Sequence, residues 1–395
     1  MTRDRFYLTA ATDKSPIEYK CGEDMVFTVW AAKNFEGKAV YDKIKYRRIG
    51  DDDVVEEGEW DYSGGEPLVF KTKIMTPGFV FIHAWVEGEN AEGVEHFLGG
   101  AGAEIEKLYP ITEEPSIYGR FWSDTLADVE KCSLTPIEAK GARDDVRPGF
   151  RIYDMKIPSP YGRPVSGILS IPDGAEAGSL PIRLQLAGYG IHSAAKHING
   201  SEIVFDMNAN GIENMREPEY YSALAQDELK EYGLHERGDN PYESYFRTII
   251  GRGLQALRYL RSLPEWNGRD ITVCGTSQGG MQALNLAALD KTVTRCEVNK
   301  PWFCDRAAET VGRRRPNFCT DIPTDSFACF DGAVQARHID CPVRVSAGLG
   351  DYVCPPSSVM AMFLALKTDQ KEIEWIQGET HGSSLPIPVR YKFRG

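Results

Sequence analysis

The pattern of hydrophobic and polar positions changes near residue 110. Before that point, short runs with alternating apolar side chains are separated by turn sequences such as Pro77-Gly78. Runs of this length and spacing are typical of antiparallel strands in a sandwich. The runs are Met25–Trp30, Lys43–Arg48, Leu68–Ile74 and Phe79–Val86. The pattern predicts an all-β sandwich domain over residues 1–110, without a helix of useful length, and a linker over Gly99–Pro115.

After the linker, strand patterns begin to alternate with helical ones. The clearest helical segment, Glu243–Leu263, carries apolar residues on one face. Such alternation predicts a mostly parallel sheet covered by helices on both faces, with functional loops at the carboxyl ends of its strands. We therefore predict an α/β domain over residues 111–395. Its candidate strands are Phe150–Ile157, Val165–Ile171, Ile182–Leu186, Ile203–Asp206, Ile271–Cys274, Val343–Ala347 and Ile373–Ile376, and its further candidate helices are Phe121–Lys131, Met281–Leu289 and Ser357–Leu366.

Charge narrows the range of partners. The chain has 45 Lys and Arg against 58 Asp and Glu, a formal net charge of -13. Such an acidic protein repels nucleic acid and anionic lipid surfaces, so we expect neither as a partner. A basic run, Arg313 to Arg315, departs from this trend; we interpret it as a solvated loop, with an anion contact as the alternative.

Neither a membrane span nor a metal site is indicated by the sequence. No apolar stretch approaches the ~18 residues that a membrane span needs, and the first residues lack the apolar core of a signal peptide. The nine cysteines include no C-x-x-C pair, which argues against a zinc site and favours free thiols. We expect a cytoplasmic protein without a metal or organic cofactor; a secretion signal that has been removed is the alternative.

Gly275-Thr276-Ser277-Gln278-Gly279 fits the G-x-S-x-G pattern of a nucleophile elbow. In this motif a serine sits on a tight strand-to-helix turn, and its neighbours must lack side chains. The apolar run Ile271–Cys274 precedes the motif and the helical segment Met281–Leu289 follows it, as the motif requires. This context predicts Ser277 as a nucleophile; a glycine-rich turn with an ordinary serine is the alternative.

A serine nucleophile needs a base and an acid, which follow it in this fold in the order serine, acid, histidine. Asp351 lies just past the strand Val343–Ala347, and His381 lies just past Ile373–Ile376. We predict His381 as the general base and Asp351 as the residue that fixes its tautomer. The rival acids Asp305, Asp331 and Asp340 fit less well. Asp340 precedes its strand and therefore lies at the opposite edge of the sheet.

The oxyanion of such a mechanism needs two backbone N–H donors. The residue after the nucleophile, Gln278, is expected to supply one. The second comes from the loop after an earlier strand, and Tyr189 follows Ile182–Leu186 in the sequence Gly188-Tyr189-Gly190. A plain turn at the end of the strand is the alternative interpretation. His192 and His197 lie in the same loop region, where a role in lining the site or in packing is equally compatible with the sequence.

From Gly119 onward the sequence resembles the acetyl xylan esterase and cephalosporin C deacetylase family, family seven of the carbohydrate esterases. Three segments carry the resemblance: Gly275 to Gly280, Lys300-Pro301-Trp302-Phe303-Cys304-Asp305, and Gly348 to Ser357. The resemblance implies an α/β-hydrolase with Ser277, Asp351 and His381 as its triad and with Tyr189 and Gln278 at the oxyanion. It also implies that Trp302 and Phe303 line the acyl pocket; for such residues a place in the core is the alternative.

Three departures from the family pattern bear on specificity. Ala187 stands where a histidine is usual, Asn208-Ala209-Asn210-Gly211 replaces an R-G-Q-G segment, and Gly382 replaces a glutamate. They put in doubt whether the chain shares the family's fine substrate preference and its common hexamer. From that hexamer we take a homo-oligomer as one expectation. The N-terminal region resembles the immunoglobulin-like domains fused ahead of some bacterial esterases.

The function that these features predict is removal of acetyl groups from carbohydrate or small esters, through an acyl-enzyme. The same triad also serves peptidases and other acyl hydrolases, which is the first alternative. A carbohydrate-binding protein without activity is the second, and the intact set of Ser277, Asp351 and His381 argues against it.

Overall fold

The computed structural model describes residues 6–33, 43–63, 65–87, 94–141, 148–230, 232, 240–314 and 327–394. Its strands are β1 (Phe6–Thr12), β2 (Met25–Lys33), β3 (Lys43–Gly50), β4 (Val55–Asp61), β5 (Leu68–Thr72), β6 (Gly78–Glu87), β7 (Phe97–Ala103), β8 (Glu138–Gly141), β9 (Phe150–Ile157), β10 (Val165–Pro172), β11 (Leu180–Leu186), β12 (Ile203–Asn208), β13 (Trp266–Thr276), β14 (Arg295–Asn299), β15 (Val343–Gly348), β16 (Lys371–Glu379) and β17 (Ser384–Arg394). Its α-helices are α1 (Tyr118–Glu130), α2 (Pro218–Gln226), α3 (Tyr245–Leu260), α4 (Gln278–Leu289), α5 (Gly332–Ala336) and α6 (Pro356–Ala365).

The N-terminal strands form two antiparallel sheets, in the orders β1-β2-β5 and β4-β3-β6-β7. The strand sequences alternate in burial, as in β5, whose first, third and fifth residues are buried and whose second and fourth are exposed. Apolar residues from both sheets, among them Phe27 and Phe70 from one and Ile82 and Phe97 from the other, form a single buried cluster. Because each sheet hides one face against the other, the predicted sandwich is confirmed.

The predicted linker is wrong at its start. Gly99 to Ala103 belong to β7, which pairs with β6 along its length. Its glycines and alanines gave no strand signal because such residues are common in loops. The segment also does not separate two cores, since Ile105 and Leu108 pack in the same buried cluster as the apolar residues of the α/β region.

The α/β region is built on a sheet with the order β17-β16-β15-β14-β13-β11-β12-β10-β9-β8 in the described part of the chain. Strands β12, β11, β13, β14, β15 and β16 are parallel to their neighbours in this series. The pairs β9–β10, β10–β12, β8–β9 and β16–β17 are antiparallel. The carboxyl ends of β13, β15 and β16 therefore meet at one edge of the sheet, as the sequence predicts.

The prediction of helices on both faces is only partly met. Contacts run in series from α1 to α3, α4, α5 and α6, so these helices form one layer. The connections β13 to β14, β14 to β15 and β15 to β16 all advance in one direction, and right-handed crossovers then place their helices on the same face. Among the described residues, the opposite face of these strands carries no packed helix, and Arg183, Glu297 and Glu374 line an open depression there.

Two further predictions concern the rest of the molecule. None of the described helices is long and apolar enough to cross a membrane. The interpretation of the basic run as a solvated loop is wrong for Arg313, which is buried and contacts a carboxylate oxygen of Asp305 at 3.2 Å. Arg314 lies with its guanidinium 4.9 Å from the ring centre of Phe81, and Arg315 lies outside the described residues.

Candidate active site

Ser277 sits on a strained turn between β13 and α4, with φ of 58° and ψ of −120°. The two motif glycines make this turn possible. A Cβ on Gly279 would fall 2.2 Å from the carbonyl oxygen of Leu186, and a Cβ on Gly275 would fall 2.4 Å from the backbone of Gly279. Because backbone already fills both spaces, only glycine fits at these positions, which explains the G-x-S-x-G spacing. The non-glycine residue in left-handed backbone between them is the serine, a strain typical of functional turns.

The structure brings Ser277, His381 and Asp351 together in a line. His381 Nε2 lies 2.9 Å from Ser277 Oγ, and His381 Nδ1 lies 3.0 Å from Asp351 Oδ2. An ionised carboxylate only accepts hydrogen bonds, so a proton on Nδ1 satisfies Asp351 and leaves Nε2 free to accept from the serine hydroxyl. This is the geometry that a base needs to take the proton of a serine nucleophile.

Asp351 is held rigidly for its part in this line. It is 1% exposed, and its Oδ1 accepts from the backbone N–H groups of Val353 and Cys354, both at 2.8 Å. Leu349 N–H donates to Ile376 O and Gly350 N–H donates to Glu379 O, which fastens the loop to β16. With Oδ1 occupied in this way, Oδ2 is the oxygen that faces the imidazole.

The rival acids are committed elsewhere. Asp305 Oδ1 accepts from the N–H groups of Ile111 and Thr112 at 2.7 and 2.8 Å. Asp331 caps α5 through the Ala333 N–H and also accepts from the Asp305 N–H, both at 2.8 Å. Burial, reinforced by the nearby Asp305 charge, raises the pKa of Asp331 to about 6. Asp340 is exposed and pairs with two lysines.

Tyr189 and Gln278 flank Ser277 as predicted. Both line the cavity that contains Ser277 and His381. Gln278 is the first residue of α4, where backbone N–H groups have no partner within the helix. In the described part of the chain neither the Tyr189 N–H nor the Gln278 N–H makes a hydrogen bond. Two free donors beside the serine are what an oxyanion requires.

The segment Asn208–Gly211, a departure from the family pattern, supports the loop that carries Tyr189. Asn208 Nδ2 donates to His192 O and Asn210 Nδ2 donates to Gly190 O, both at 2.8 Å. Gln282 from α4 donates to Ala187 O at 2.9 Å. These side chains satisfy carbonyls of a loop that has no regular structure of its own, and they fix the position of Tyr189.

A cavity of about 440 Å³ opens at the serine, lined by Gly188, Tyr189, Thr276, Ser277, Gln278, Trp302, Val353 and His381. Trp302 thus lies at the pocket, and its backbone N–H donates to the backbone carbonyl oxygen of Ser277 at 3.1 Å. Phe303 does not: it is 1% exposed, is absent from the cavity wall and packs against Phe246. The prediction that Phe303 lines the pocket is not supported, because its left-handed backbone, with φ of 62°, turns it into the core.

Lys300 is a site residue that sequence reasoning missed. Its Nζ lies 3.0 Å from Glu379 Oε1 and donates to the carbonyl oxygens of Thr380 at 3.0 Å and His381 at 3.2 Å. It therefore holds the backbone on which the imidazole is carried. Lys300 belongs to one of the three segments that carry the family resemblance. Nothing in the sequence of that segment shows which part of the backbone the lysine contacts.

Asp351, Cys354 and His381 also place one ligand atom each within 4.8 Å of one another. A metal ion held there would compete for the same Nδ1 and carboxylate that form the hydrogen bond at 3.0 Å. The arrangement therefore suits proton transfer at Ser277 better than metal binding. His192 and His197 lie to one side, where His197 Nδ1 contacts the buried Asp206 at 2.5 Å.

Comparison with known proteins identifies the relatives of this chain. The family model for acetyl xylan esterase (AXE1) matches residues 102–316 and 322–391. The acetyl esterase Axe7A of Xylanibacter ruminicola is 26% identical over 351 residues, which cover 83% of this chain and 78% of that protein.

Two solved structures show a similar fold over most of the chain. The acetyl xylan esterase from Paenibacillus sp. R4 matches with a TM-score of 0.59 and 20% identity, covering 72% of this chain and 94% of its own. Acetyl xylan esterase 1 from Thermoanaerobacterium sp. JW/SL YS485 matches with a TM-score of 0.55 and 17% identity, covering 72% and 93%. The α/β-hydrolase prediction is thereby confirmed. With a family match over most of its length, the chain belongs to the acetyl xylan esterase family, a family of carboxylic ester hydrolases.

Proposed function

We propose that this protein removes acetyl groups from carbohydrate with Ser277 as nucleophile, His381 as general base and Asp351 as the residue that orients the imidazole. The observation that carries the proposal is the unbroken line of hydrogen bonds, with Nε2 2.9 Å from the serine hydroxyl and Nδ1 3.0 Å from the carboxylate. Membership of the acetyl xylan esterase family supports the choice of ester.

The first half of the reaction forms an acyl-enzyme. Ser277 Oγ attacks the acetyl carbonyl carbon while His381 Nε2 takes its proton, and the imidazolium is stabilised by Asp351. The carbonyl oxygen becomes an oxyanion that accepts from the N–H groups of Tyr189 and Gln278. The C–O bond to the sugar then breaks, and His381 returns the proton to the departing alcohol. In the second half, water attacks the acetyl-serine with His381 again as base, and acetate leaves.

Room for a sugar exists beside the serine. Tyr189 separates the catalytic cavity from a second, open depression of about 600 Å³, which Arg216, Tyr221 and Tyr232 also line. The rings of Tyr189 and Tyr232 stack with centroids 5.0 Å apart and planes 10° from parallel. An open depression lined by aromatic side chains and a few polar groups suits the apolar and hydroxyl-bearing surfaces of a sugar. This depression supports a carbohydrate, rather than a simple alcohol, as the leaving group.

We also infer that residues 1–110 form an immunoglobulin-like domain and residues 111–395 the catalytic domain. The two N-terminal sheets end with β7 at Ala103, and the sheet of the α/β region begins with β8 at Glu138. The family match begins at residue 102, close to this boundary, which supports the division.

The test compares the wild type with Ser277→Ala on p-nitrophenyl acetate, longer acyl esters, acetylated xylo-oligosaccharides and a prolyl peptide. Ser179→Ala is the matched control, because its hydroxyl is exposed and bonds only a nearby carbonyl at 2.7 Å. We expect acetate release by the wild type and the control, and a loss of about 10³-fold or more in Ser277→Ala. Equal turnover by all three proteins would exclude the serine mechanism. Peptide cleavage without acetate release would favour a peptidase.

A further inference from the structure

The edge strand β7 of the N-terminal sandwich lies directly behind the acid loop, defined here as Leu349–Val353. A Cβ on Gly350 would fall 2.1 Å from the carbonyl oxygen of Leu98, and a Cβ on Gly100 would fall 3.1 Å from the carbonyl oxygen of Leu349. Backbone therefore meets backbone here, with no side chain between. The loop that carries Asp351 cannot move toward the sandwich without displacing β7.

Gln377 of β16 fastens β7 in this position. Its Nε2 donates to Gly100 O at 2.8 Å, and its Oε1 accepts from the Gly100 N–H at 2.9 Å. The side chain is 4% exposed. Backbone of Pro16 and Tyr19 bonds this side of the chain at Gly102 and Glu104. At Gly100 no described strand pairs with β7, and the carboxamide takes that place. A Cβ on Gly99 would fall 2.2 Å from Oε1, which shows how closely β7 is built around this side chain.

A second attachment lies at the other end of the acid loop. Asp51, in the turn between β3 and β4, accepts from Ser357 Oγ at 3.0 Å and from the Phe79 N–H at 2.8 Å. Ser357 stands in the first turn of α6, which begins shortly after the loop. The sandwich thus contacts the α/β region at two places beside the acid loop: β16 through Gln377 and the first turn of α6 through Asp51.

We propose that Gln377 is a positioning residue for the triad: by fastening β7 behind Gly350, it keeps the Asp351 carboxylate in line with His381. The inference rests on the proposed function, since it requires Asp351 to act through the imidazole. Proton transfer is sensitive to small errors of placement, where a shift of about 1 Å costs about 10²-fold in rate. The N-terminal sandwich is on this view a wall of the active site rather than an appended binding module.

The experiment uses the full chain with Gln377→Met, which keeps the length of the side chain and removes both hydrogen bonds. Gln335→Met is the matched control: Gln335 is fully buried and bonds Tyr118 at 2.9 Å and Cys329, away from the triad. With p-nitrophenyl acetate we expect kcat to fall about 10- to 100-fold in Gln377→Met with KM within about twofold. The control should keep kcat within about twofold while its melting temperature falls by a similar amount.

A double variant separates positioning from general damage. In an Asp351→Asn background, Gln377→Met should lower kcat by less than about twofold, because the group it positions has already been removed. The inference would be overturned if Gln377→Met lowered kcat by the same factor in both backgrounds, or if Gln335→Met lowered kcat as much as Gln377→Met does. Full activity of Asp351→Asn alone would instead overturn the proposed triad, and this inference with it.

Discussion

The ammonium group of Lys300 lies 3.0 Å from the carboxylate of Glu379, and the two side chains are 10% and 11% exposed. The pair joins the end of β14 to the end of β16, immediately before His381. Lys300 also has a left-handed backbone, with φ of 45°, in a segment where Phe303 and Asp305 do as well. Strained backbone of this kind persists only where the surrounding structure requires it. Here it places the lysine against the backbone of Thr380 and His381.

Lys300→Met should lower both stability and rate. Removing one partner of a buried ion pair leaves the other charge uncompensated, at a cost of about 3 to 5 kcal/mol in the free energy of unfolding. Loss of the bonds to Thr380 O and His381 O should lower kcat about tenfold or more, because the imidazole is less well placed. Urea unfolding and p-nitrophenyl acetate kinetics measure the two effects.

Lys367→Met serves as its control, because that lysine is largely exposed and pairs with the exposed Asp340 at 2.7 Å. It should change the free energy of unfolding by less than about 1 kcal/mol. Adding Glu379→Gln to Lys300→Met should restore part of the stability but not the rate. A Lys300→Met protein with wild-type kcat would show that the lysine supports folding alone.

Gly279→Ala should damage the elbow. The new methyl group would meet the Leu186 carbonyl oxygen at 2.2 Å, so either α4 or β11 must shift. We expect a loss of about 1 to 3 kcal/mol in the free energy of unfolding and a fall in kcat of about tenfold or more. Gly119→Ala, in the first turn of α1 with no atom within 4 Å of the added Cβ, should instead be neutral or stabilising. Unimpaired turnover by Gly279→Ala would contradict the close approach of the two backbones.

Asn210→Ala should weaken catalysis without weakening substrate binding. Asn210 fixes the Gly190 carbonyl and accepts from the Tyr245 hydroxyl at 3.1 Å, so its loss frees the loop that carries the Tyr189 N–H. An oxyanion donor acts mainly in the transition state, and we expect kcat to fall about 10- to 100-fold with KM little changed. Asn199→Ala is the control, because Asn199 is exposed, and it should leave kcat unchanged. A rise in KM at constant kcat would place Asn210 in substrate binding instead.

The pH dependence of stability should carry a contribution from Asp331. Burial raises the pKa of Asp331 to about 6, against an ordinary value of 3.8, so the folded state binds a proton more tightly than the unfolded one. This contribution is present below about pH 4 and is lost as pH rises through about 6, a change of about 3 kcal/mol. The free energy of unfolding of the wild type, relative to Asp331→Asn, should therefore fall between pH 4 and pH 7. A difference that is independent of pH would show that Asp331 ionises normally.

The triad could be predicted because each of its residues is marked by the sequence pattern immediately around it. A glycine pattern between a strand and a helix, and two residues each just past an apolar strand, place Ser277, Asp351 and His381 at one edge of any parallel sheet. Lys300 and Gln377 could not be predicted, because each acts on backbone from a different part of the chain. Cytoplasmic location and self-association stay predictions of the sequence.

The sheet face without a packed helix among the described residues has a signal in the sequence. Strands buried on both faces read as continuous apolar runs, whereas β11 and β15 alternate between buried and more exposed positions. Arg183, Gln185 and Arg344 are the polar members of this alternation. β17 was missed for another reason: two prolines and mostly exposed positions leave no strand pattern, and only its pairing with β16 defines it.

The bond between Gly100 and Gln377 spans 277 residues, and this has a consequence for synthesis. At about 5 to 20 residues per second, a ribosome needs about 14 to 55 s to deliver Gln377 after Gly100 has emerged. During that interval the outer edge of β7 exposes the N–H and C=O groups of Gly100, and such an edge can pair with another nascent chain. Slower initiation of translation, which separates nascent chains, or a chaperone that covers this edge should therefore raise the yield of folded protein.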